Sequence, residues 1–254
     1  MIARTLERAR ARGELALVAY LTAGYPSPAA WRPCLAEIVS AGADVLEIGI
    51  PFSDPVADGP TIQRASSRAL AAGTTFAKTL DALAHARLGV PVCVMSYLNP
   101  LLALGSARAA VDRLADAGVS GLAVPDLPAE EAAPWRLATG ERGVELVGFV
   151  APTSTDARVR RAAAVSDVLY YVAVTGTTGV RHDLAPDLRP ALERLRRLTD
   201  RPVVVGFGIG HPDRVRELRG RCDGVVVGSR IVEALGQGEP VLPLVRELVH
   251  AAKE

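Results

Sequence analysis

Hydrophobic and polar positions alternate along this chain in two textures. Short β-branched runs, several of them apolar at nearly every position, fall at 15–21, 45–50, 91–97, 120–125, 144–150, 168–174, 202–207 and 223–227. Between them lie Ala-, Leu- and Arg-rich stretches of helical character at 28–41, 61–87, 106–117, 129–141, 155–164, 187–199, 212–219 and 230–252. A continuous apolar run predicts a parallel strand covered on both faces. Strand–helix alternation over the whole length predicts βαβ units. Eight such units in 254 residues favour a closed α/β (β/α)8 barrel (TIM barrel) over an open doubly wound sheet. No Pro/Gly/Ser-rich linker divides the chain, which predicts a single domain over residues 1–254. The amphipathic segment 2–12 is expected to cap the bottom of the barrel. Ser27-Pro28, Thr155-Asp156 and His211-Pro212-Asp213 read as helix starts, and Gly73-Thr74-Thr75 is expected to break 61–87 in two.

Composition narrows the function classes. Apolar residues make up 49% and charged residues 22%, so the chain can build a packed core. A net charge of +1 gives no basic excess for a nucleic acid, and the arginine groups at 158–161 and 194–197 read as solvated helix faces. Cys34, Cys93 and Cys222 are odd in number and widely spaced, which argues against a disulfide framework or a zinc site. The first residues lack an apolar signal core, and no apolar run is long enough to span a bilayer, so a soluble cytoplasmic protein is expected.

Barrel active sites form at the C-terminal ends of the strands. Glycine-rich turns follow strands 6, 7 and 8: Thr175-Gly176-Thr177-Thr178-Gly179, Gly206-Phe207-Gly208-Ile209-Gly210 and Gly228-Ser229. One such turn is only a turn. Three on adjacent strands predict a phosphate cradle of backbone N–H groups at a helix N-terminus. Glu47 sits inside the apolar strand VLEIGI, where desolvation raises a carboxyl pKa toward the range useful for proton transfer. The other reading, a core glutamate paired with arginine, lacks a basic residue nearby in strand 2. Asp54 and Asp58, four apart in the next loop, could bind Mg²⁺, or divide between loop fixing and substrate. Asp126, between two prolines, reads as a turn residue. His85, His182, His211 and His250 lack metal-ligand spacing.

The run Leu46-Glu47-Ile48-Gly49-Ile50-Pro51-Phe52-Ser53-Asp54-Pro55-Val56-Ala57-Asp58-Gly59-Pro60-Thr61-Ile62-Gln63 closely resembles the signature of the tryptophan synthase alpha subunit family. Tyr20-Leu21-Thr22-Ala23-Gly24, Pro125-Asp126-Leu127-Pro128 and the glycine turns after strands 6 and 7 match it in order over essentially the whole chain. The resemblance implies retro-aldol cleavage of indole-3-glycerol phosphate to indole and glyceraldehyde 3-phosphate, with no metal or organic cofactor. It implies Glu47 as general acid and base, and Asp58 as the carboxylate on the indole N–H. Tyr20 and Tyr170 would border the indole pocket, with Tyr97 beneath it as a support for Glu47. Thr178 would contact Asp58 from a closing lid. Gly179, Phe207, Gly208, Gly228 and Ser229 would line the substrate site, the glycines and Ser229 holding its phosphate. The implied partner is a pyridoxal-phosphate beta subunit in an alpha2beta2 heterotetramer, facing the loop 51–58 and the loop with Asp126.

The chain departs from the family pattern at Ala173, where Ser is frequent, in the short approach Ser166-Asp167-Val168-Leu169, and at Ala109, where an aromatic is usual. A standalone lyase releasing free indole is an alternative with the same residues. A non-catalytic regulatory subunit would be expected to lack Glu47 or Asp58. A sugar-phosphate isomerase would need a different base arrangement.

Overall fold

The computed structural model describes residues 1–173, 188–206 and 208–254. Eight parallel strands close into a barrel in sequence order: β1 (Ala16–Thr22), β2 (Val45–Gly49), β3 (Val92–Met95), β4 (Gly121–Ala123), β5 (Glu145–Val150), β6 (Val168–Val172), β7 (Val203–Gly206) and β8 (Gly224–Val227). Around it run α2 (Pro28–Ser40), α3 (Pro60–Ala71), α4 (Phe76–His85), α5 (Leu98–Leu102), α6 (Ala107–Asp116), α7 (Ala133–Arg142), α8 (Asp156–Val165), α9 (Leu188–Leu198), α10 (Pro212–Glu217), α11 (Ser229–Gln237) and α12 (Val241–Lys253). The barrel fold expected from the sequence is therefore present.

Strand residues alternate between two cores, as the period of two demands. Leu17, Leu46, Val94, Leu122, Leu169 and Val205 point outward under the helices. Val18, Val45, Cys93, Ala123, Val147, Val168, Val204 and Val226 fill the lumen. Both sets are buried, which is why the runs read as continuously apolar.

The N-terminal helix α1 (Ile2–Ala11) closes the bottom of the barrel, with Ile2, Leu6 and Ala9 buried in the lumen core. Ile2 and Leu6 fill the spaces left by Gly121 and Gly224, where an added Cβ would lie 2.4 Å and 2.8 Å from their side chains. The Glu145 carboxylate, at the start of β5, accepts the N–H groups of Ile2 and Ala3 and so caps α1.

A repeated clasp ties the strands at this end. Asp44, Asp167 and Asp223 each precede an even-numbered strand and accept a backbone N–H from the preceding odd one. The acceptances are Leu17 N–H at 2.8 Å, Leu146 N–H at 2.9 Å and Val203 N–H at 2.6 Å. Lys253, Arg136 and Arg196 neutralise the three carboxylates in turn. Ser120 holds the corresponding place before β4.

Four boundaries differ from the sequence reading. The stretch 230–252 is two helices, because Gly238 turns left-handed at φ 72° and Pro240 precedes α12. Strand 3 stops at Met95, since residues 98–102 wind into α5. Strand 4 ends at Ala123, where Leu127 N–H turns back to Val124 C=O. A 3-10 turn over Ala129–Glu131 precedes α7. The break expected at Gly73-Thr74-Thr75 is present, with the Thr75 hydroxyl capping α4.

Candidate active site

Glu47 faces the lumen near its C-terminal mouth, in register with Tyr20 on one side and Cys93 on the other. It is 3% exposed, and its Oε2 finds no hydrogen-bond partner among the described residues. Burial first, and the negative charge of Asp58 second, push its pKa up to about 8. A neutral carboxyl at pH 7 can donate a proton, and a small change in surroundings lets it take one back.

Asp58 comes to the same mouth on the loop after β2. Its N–H bonds the Pro55 carbonyl at 3.0 Å, and its own carbonyl accepts from Gln63 Nε2 at 2.8 Å. Burial raises its pKa to about 6, opposed by a hydrogen bond from the Tyr97 hydroxyl to its carboxylate. The same hydroxyl accepts the Ala57 N–H at 2.9 Å. Tyr97 lies beyond the end of β3, and its hydroxyl fixes the loop that carries Asp58. Phe52 packs on its ring at 5.5 Å between centroids.

Tyr20 and Tyr170 wall the lumen beside Glu47 and are electrostatically coupled to it, and burial raises both phenols well above their ordinary range. Each ring lies across a glycine. A Cβ on Gly49 would meet the Tyr20 hydroxyl at 2.1 Å, and one on Gly206 would meet that of Tyr170 at 2.0 Å. The sequence reading missed Phe149, paired in register with Tyr170 and stacked on it at 4.9 Å and 27°. Its signal was parity: Phe149 is two residues beyond the inward Val147.

Two of the turns expected to form a phosphate cradle lie among the described residues. Gly208 turns at φ 83° after β7. Gly228 caps α11, and Ser229 opens its first turn, where N–H groups lack intrahelical acceptors and the helix end carries partial positive charge. Gly228 also lies under the Tyr20 ring, 3.2 Å from a built Cβ. Thr178, Gly179 and Phe207, with His182, lie outside the described residues.

The remaining candidates have local roles. Asp54 accepts the Ser53 hydroxyl at 2.5 Å. No group of three or more His, Cys, Asp or Glu side chains is arranged to hold a metal ion among the described residues. Asp126 accepts the Leu98 N–H at 2.9 Å and so fixes the first turn of α5 from the β4 loop. The His211 ring accepts the Asp213 N–H at 3.3 Å as the cap of α10. The short approach to β6 is accommodated: Ser166 is buried and bonds the Ala162 carbonyl at 2.6 Å, while β6 pairs with both neighbours. Ala173 follows the strand, its N–H on the Gly206 carbonyl at 3.1 Å, and Ala109 lies in the first turn of α6 under the Ser106 cap.

Comparison with known proteins agrees with this geometry. The profile of the family described as tryptophan synthase alpha chain matches residues 6–250. The tryptophan synthase alpha chain of Geobacter sp. (strain M21) is 45% identical over 248 residues, 96% of this chain and 92% of that one. That of Roseiflexus castenholzii is 45% identical over 243 residues, 94% and 93% of the two chains. Among solved structures, a chain of Mycobacterium tuberculosis tryptophan synthase superimposes with a TM-score of 0.92 at 36% identity, covering 100% of this chain and 98% of that one. A chain from Aquifex aeolicus VF5 does so with a TM-score of 0.91 at 37% identity, covering 100% and 99%. With barrel, strand 2 signature and near full-length similarity in agreement, the chain belongs to the tryptophan synthase alpha chain family.

Proposed function

We propose that this chain, acting as one catalytic domain, cleaves indole-3-glycerol phosphate through Glu47 and Asp58 as the alpha subunit of a tryptophan synthase. The lyase activity follows from family membership. The observation that carries the residue assignment is a buried Glu47 carboxyl, its Oε2 without a hydrogen-bond partner among the described residues, raised to about 8 beside a second carboxyl raised to only about 6. Near neutral pH the pair divides into a neutral acid and an anion.

The chemistry uses that division. Indole is a poor leaving carbanion until its C3 is protonated. The Glu47 carboxyl supplies that proton, and the positive charge that spreads to the ring nitrogen is stabilised by the Asp58 carboxylate on the N–H. Glu47, now a carboxylate, removes the proton of the side-chain hydroxyl as the carbon–carbon bond breaks. Indole leaves with its C3 proton, the aldehyde forms, and Glu47 ends protonated as it began. Tyr20, Tyr170 and Phe149 flank the ring, and Gly208, Gly228 and Ser229 receive the phosphate with Gly179. No step calls for a metal or organic cofactor.

The partner is a beta subunit in an alpha2beta2 heterotetramer, placed over the loop face. Val56, 77% exposed in the loop after β2, and Leu102, 46% exposed at the end of α5, present apolar side chains to solvent. No helix of the described residues is long and apolar enough to cross a membrane, and we place the enzyme in the cytoplasm.

The test is steady-state indole release from indole-3-glycerol phosphate, with and without a tryptophan synthase beta subunit, using Glu47→Gln as control. Slow release, strongly accelerated by beta and lost in the variant, is expected. Fast release indifferent to beta would identify a standalone lyase. No release in either condition would refute the catalytic assignment.

A further inference from the structure

We propose that Gln63 is a positioning residue for Asp58, acting on the loop backbone rather than on the substrate; its catalytic meaning rests on the lyase reading above. Tyr97 grips the loop from the barrel side. Its hydroxyl accepts the Ala57 N–H at 2.9 Å and donates to the Asp58 carboxylate. That donation lasts only while the backbone keeps the carboxylate over the hydroxyl. On the far side of Asp58 the chain turns at Gly59 into α3, with Pro60 as its first residue. Gly59 has no side chain to cap the helix, and Pro60 has no N–H to give to the loop. The Gln63 amide makes the tie, donating from Nε2 to the Asp58 carbonyl at 2.8 Å.

Residue 63 suits this role by place and by chemistry. Its own N–H bonds the Gly59 carbonyl at 2.9 Å, and Ile62, Ala65, Ser66 and Ala69 are buried on the inner face of α3. The side chain therefore springs from a fixed helical turn. A carbonyl only accepts, so the group that faces it must donate. A glutamine amide donates at every working pH, whereas a glutamate carboxylate of the same shape repels the carbonyl. Asp58 is thus held at three points: its N–H on the Pro55 carbonyl, its carbonyl by Gln63 and its carboxylate by Tyr97. Loss of the second point frees the backbone and weakens the third, and a carboxylate that accepts fewer hydrogen bonds takes up its proton at higher pH. The titratable groups facing Asp58 are Tyr97, Glu47 on β2, Tyr20 on β1 and Tyr170 on β6. The three phenols are neutral, and so is Glu47 below about 8, so an Asp58 midpoint below that value reports its hydrogen bonding.

The test is the titration of the Asp58 carboxyl, followed by its ¹³C resonance in the full chain. Gln63→Met keeps the length and loses the donor; Gln63→Glu sets an acceptor against the carbonyl. Gln63 is exposed, so neither variant disturbs the core. The midpoint should rise in Gln63→Met by up to about one pH unit, the range of one ordinary hydrogen bond, and at least as far in Gln63→Glu. Added to Tyr97→Phe, Gln63→Met should raise it no further, because Gln63 acts through the Tyr97 bond. In turnover, kcat at pH 7 should fall roughly three- to tenfold with KM nearly unchanged, and the acid limb should follow the midpoint. An unmoved midpoint in Gln63→Met would overturn the proposal, even with a loss of thermal stability, and leave Gln63 a fastener of the helix start. Equal rises with and without the Tyr97 hydroxyl would overturn the action through Tyr97. The titration needs no substrate. A raised midpoint in a chain that releases no indole would sink the lyase reading and leave Gln63 positioning Asp58, whereas release with an unmoved midpoint would sink the Gln63 role alone.

Discussion

Glu47 is held where its ionised form is poorly solvated, and this has consequences for both rate and stability. With Asp58 near 6 and Glu47 near 8, anionic Asp58 and neutral Glu47, the pair that the proposed mechanism uses, dominates between those values. A bell-shaped dependence of kcat/KM on pH is expected with apparent limbs near 6 and 8, belonging to the coupled pair. Tyr97→Phe removes the hydrogen bond that lowers the Asp58 pKa, so the acid limb should move to higher pH; an unmoved limb would contradict the assignment. Glu47→Gln should cost roughly 10²–10⁴-fold in turnover but relieve a pH-dependent strain. Above pH 4.5 the unfolded glutamate releases its proton, while the folded one keeps it until about 8. Stability from this group is therefore greatest below 4.5 and is lost as pH rises to 8, at up to about 1.4 kcal/mol per pH unit. In Glu47→Gln the slope between pH 6 and 8 should flatten, as read from urea midpoints. Glu47 was legible in the sequence because a carboxyl inside VLEIGI is costly to ionise and strand 2 offers no nearby arginine to pair with it. Phe149 was not, because an aromatic in a strand reads equally as core, and the partner of Tyr97 is fixed by loop geometry that spacing does not encode.

At the scale of elements, the aspartates before β2, β6 and β8 do what no single strand can do alone. Each holds the neighbouring strand in register through a backbone N–H while a cation from a surrounding helix balances its charge. Asp223 is the most enclosed of them, with Arg196 at 2.7 Å. Asp223→Ala leaves the Val203 N–H and that guanidinium unmatched, and should destabilise the fold by about 3–5 kcal/mol. Because the clasp lies at the end of the barrel opposite the carboxyl pair, the KM of the folded fraction should stay unchanged. Urea unfolding and steady-state kinetics together check both halves. The eight strands themselves were legible, since both faces are buried and their runs stand out. The clasps were present in the sequence as Asp44-Val45, Asp167-Val168 and Asp223-Gly224, a signal visible only once strands are numbered in pairs. The split of α11 from α12 was also written there, in Gly238 and Pro240, but the long apolar periodicity on either side masked it.

For the whole molecule, α1 decides which way the barrel opens. Leu6 is fully buried against Gly224, so Leu6→Ala leaves a void at the bottom of the lumen and should cost about 2–5 kcal/mol in urea unfolding. Its turnover at permissive temperature should remain near that of the parent, since the lesion lies far from Glu47. The stoppered end also governs traffic. A lumen shut at its base by Ile2 and Leu6 is a cul-de-sac, and cleavage turns one visitor into two. With the substrate seated as proposed, both fragments are expected to leave by the doorway through which the parent molecule came. The piece seated nearer that doorway blocks the deeper one until it departs, so product escape becomes a queue with an order imposed by the architecture.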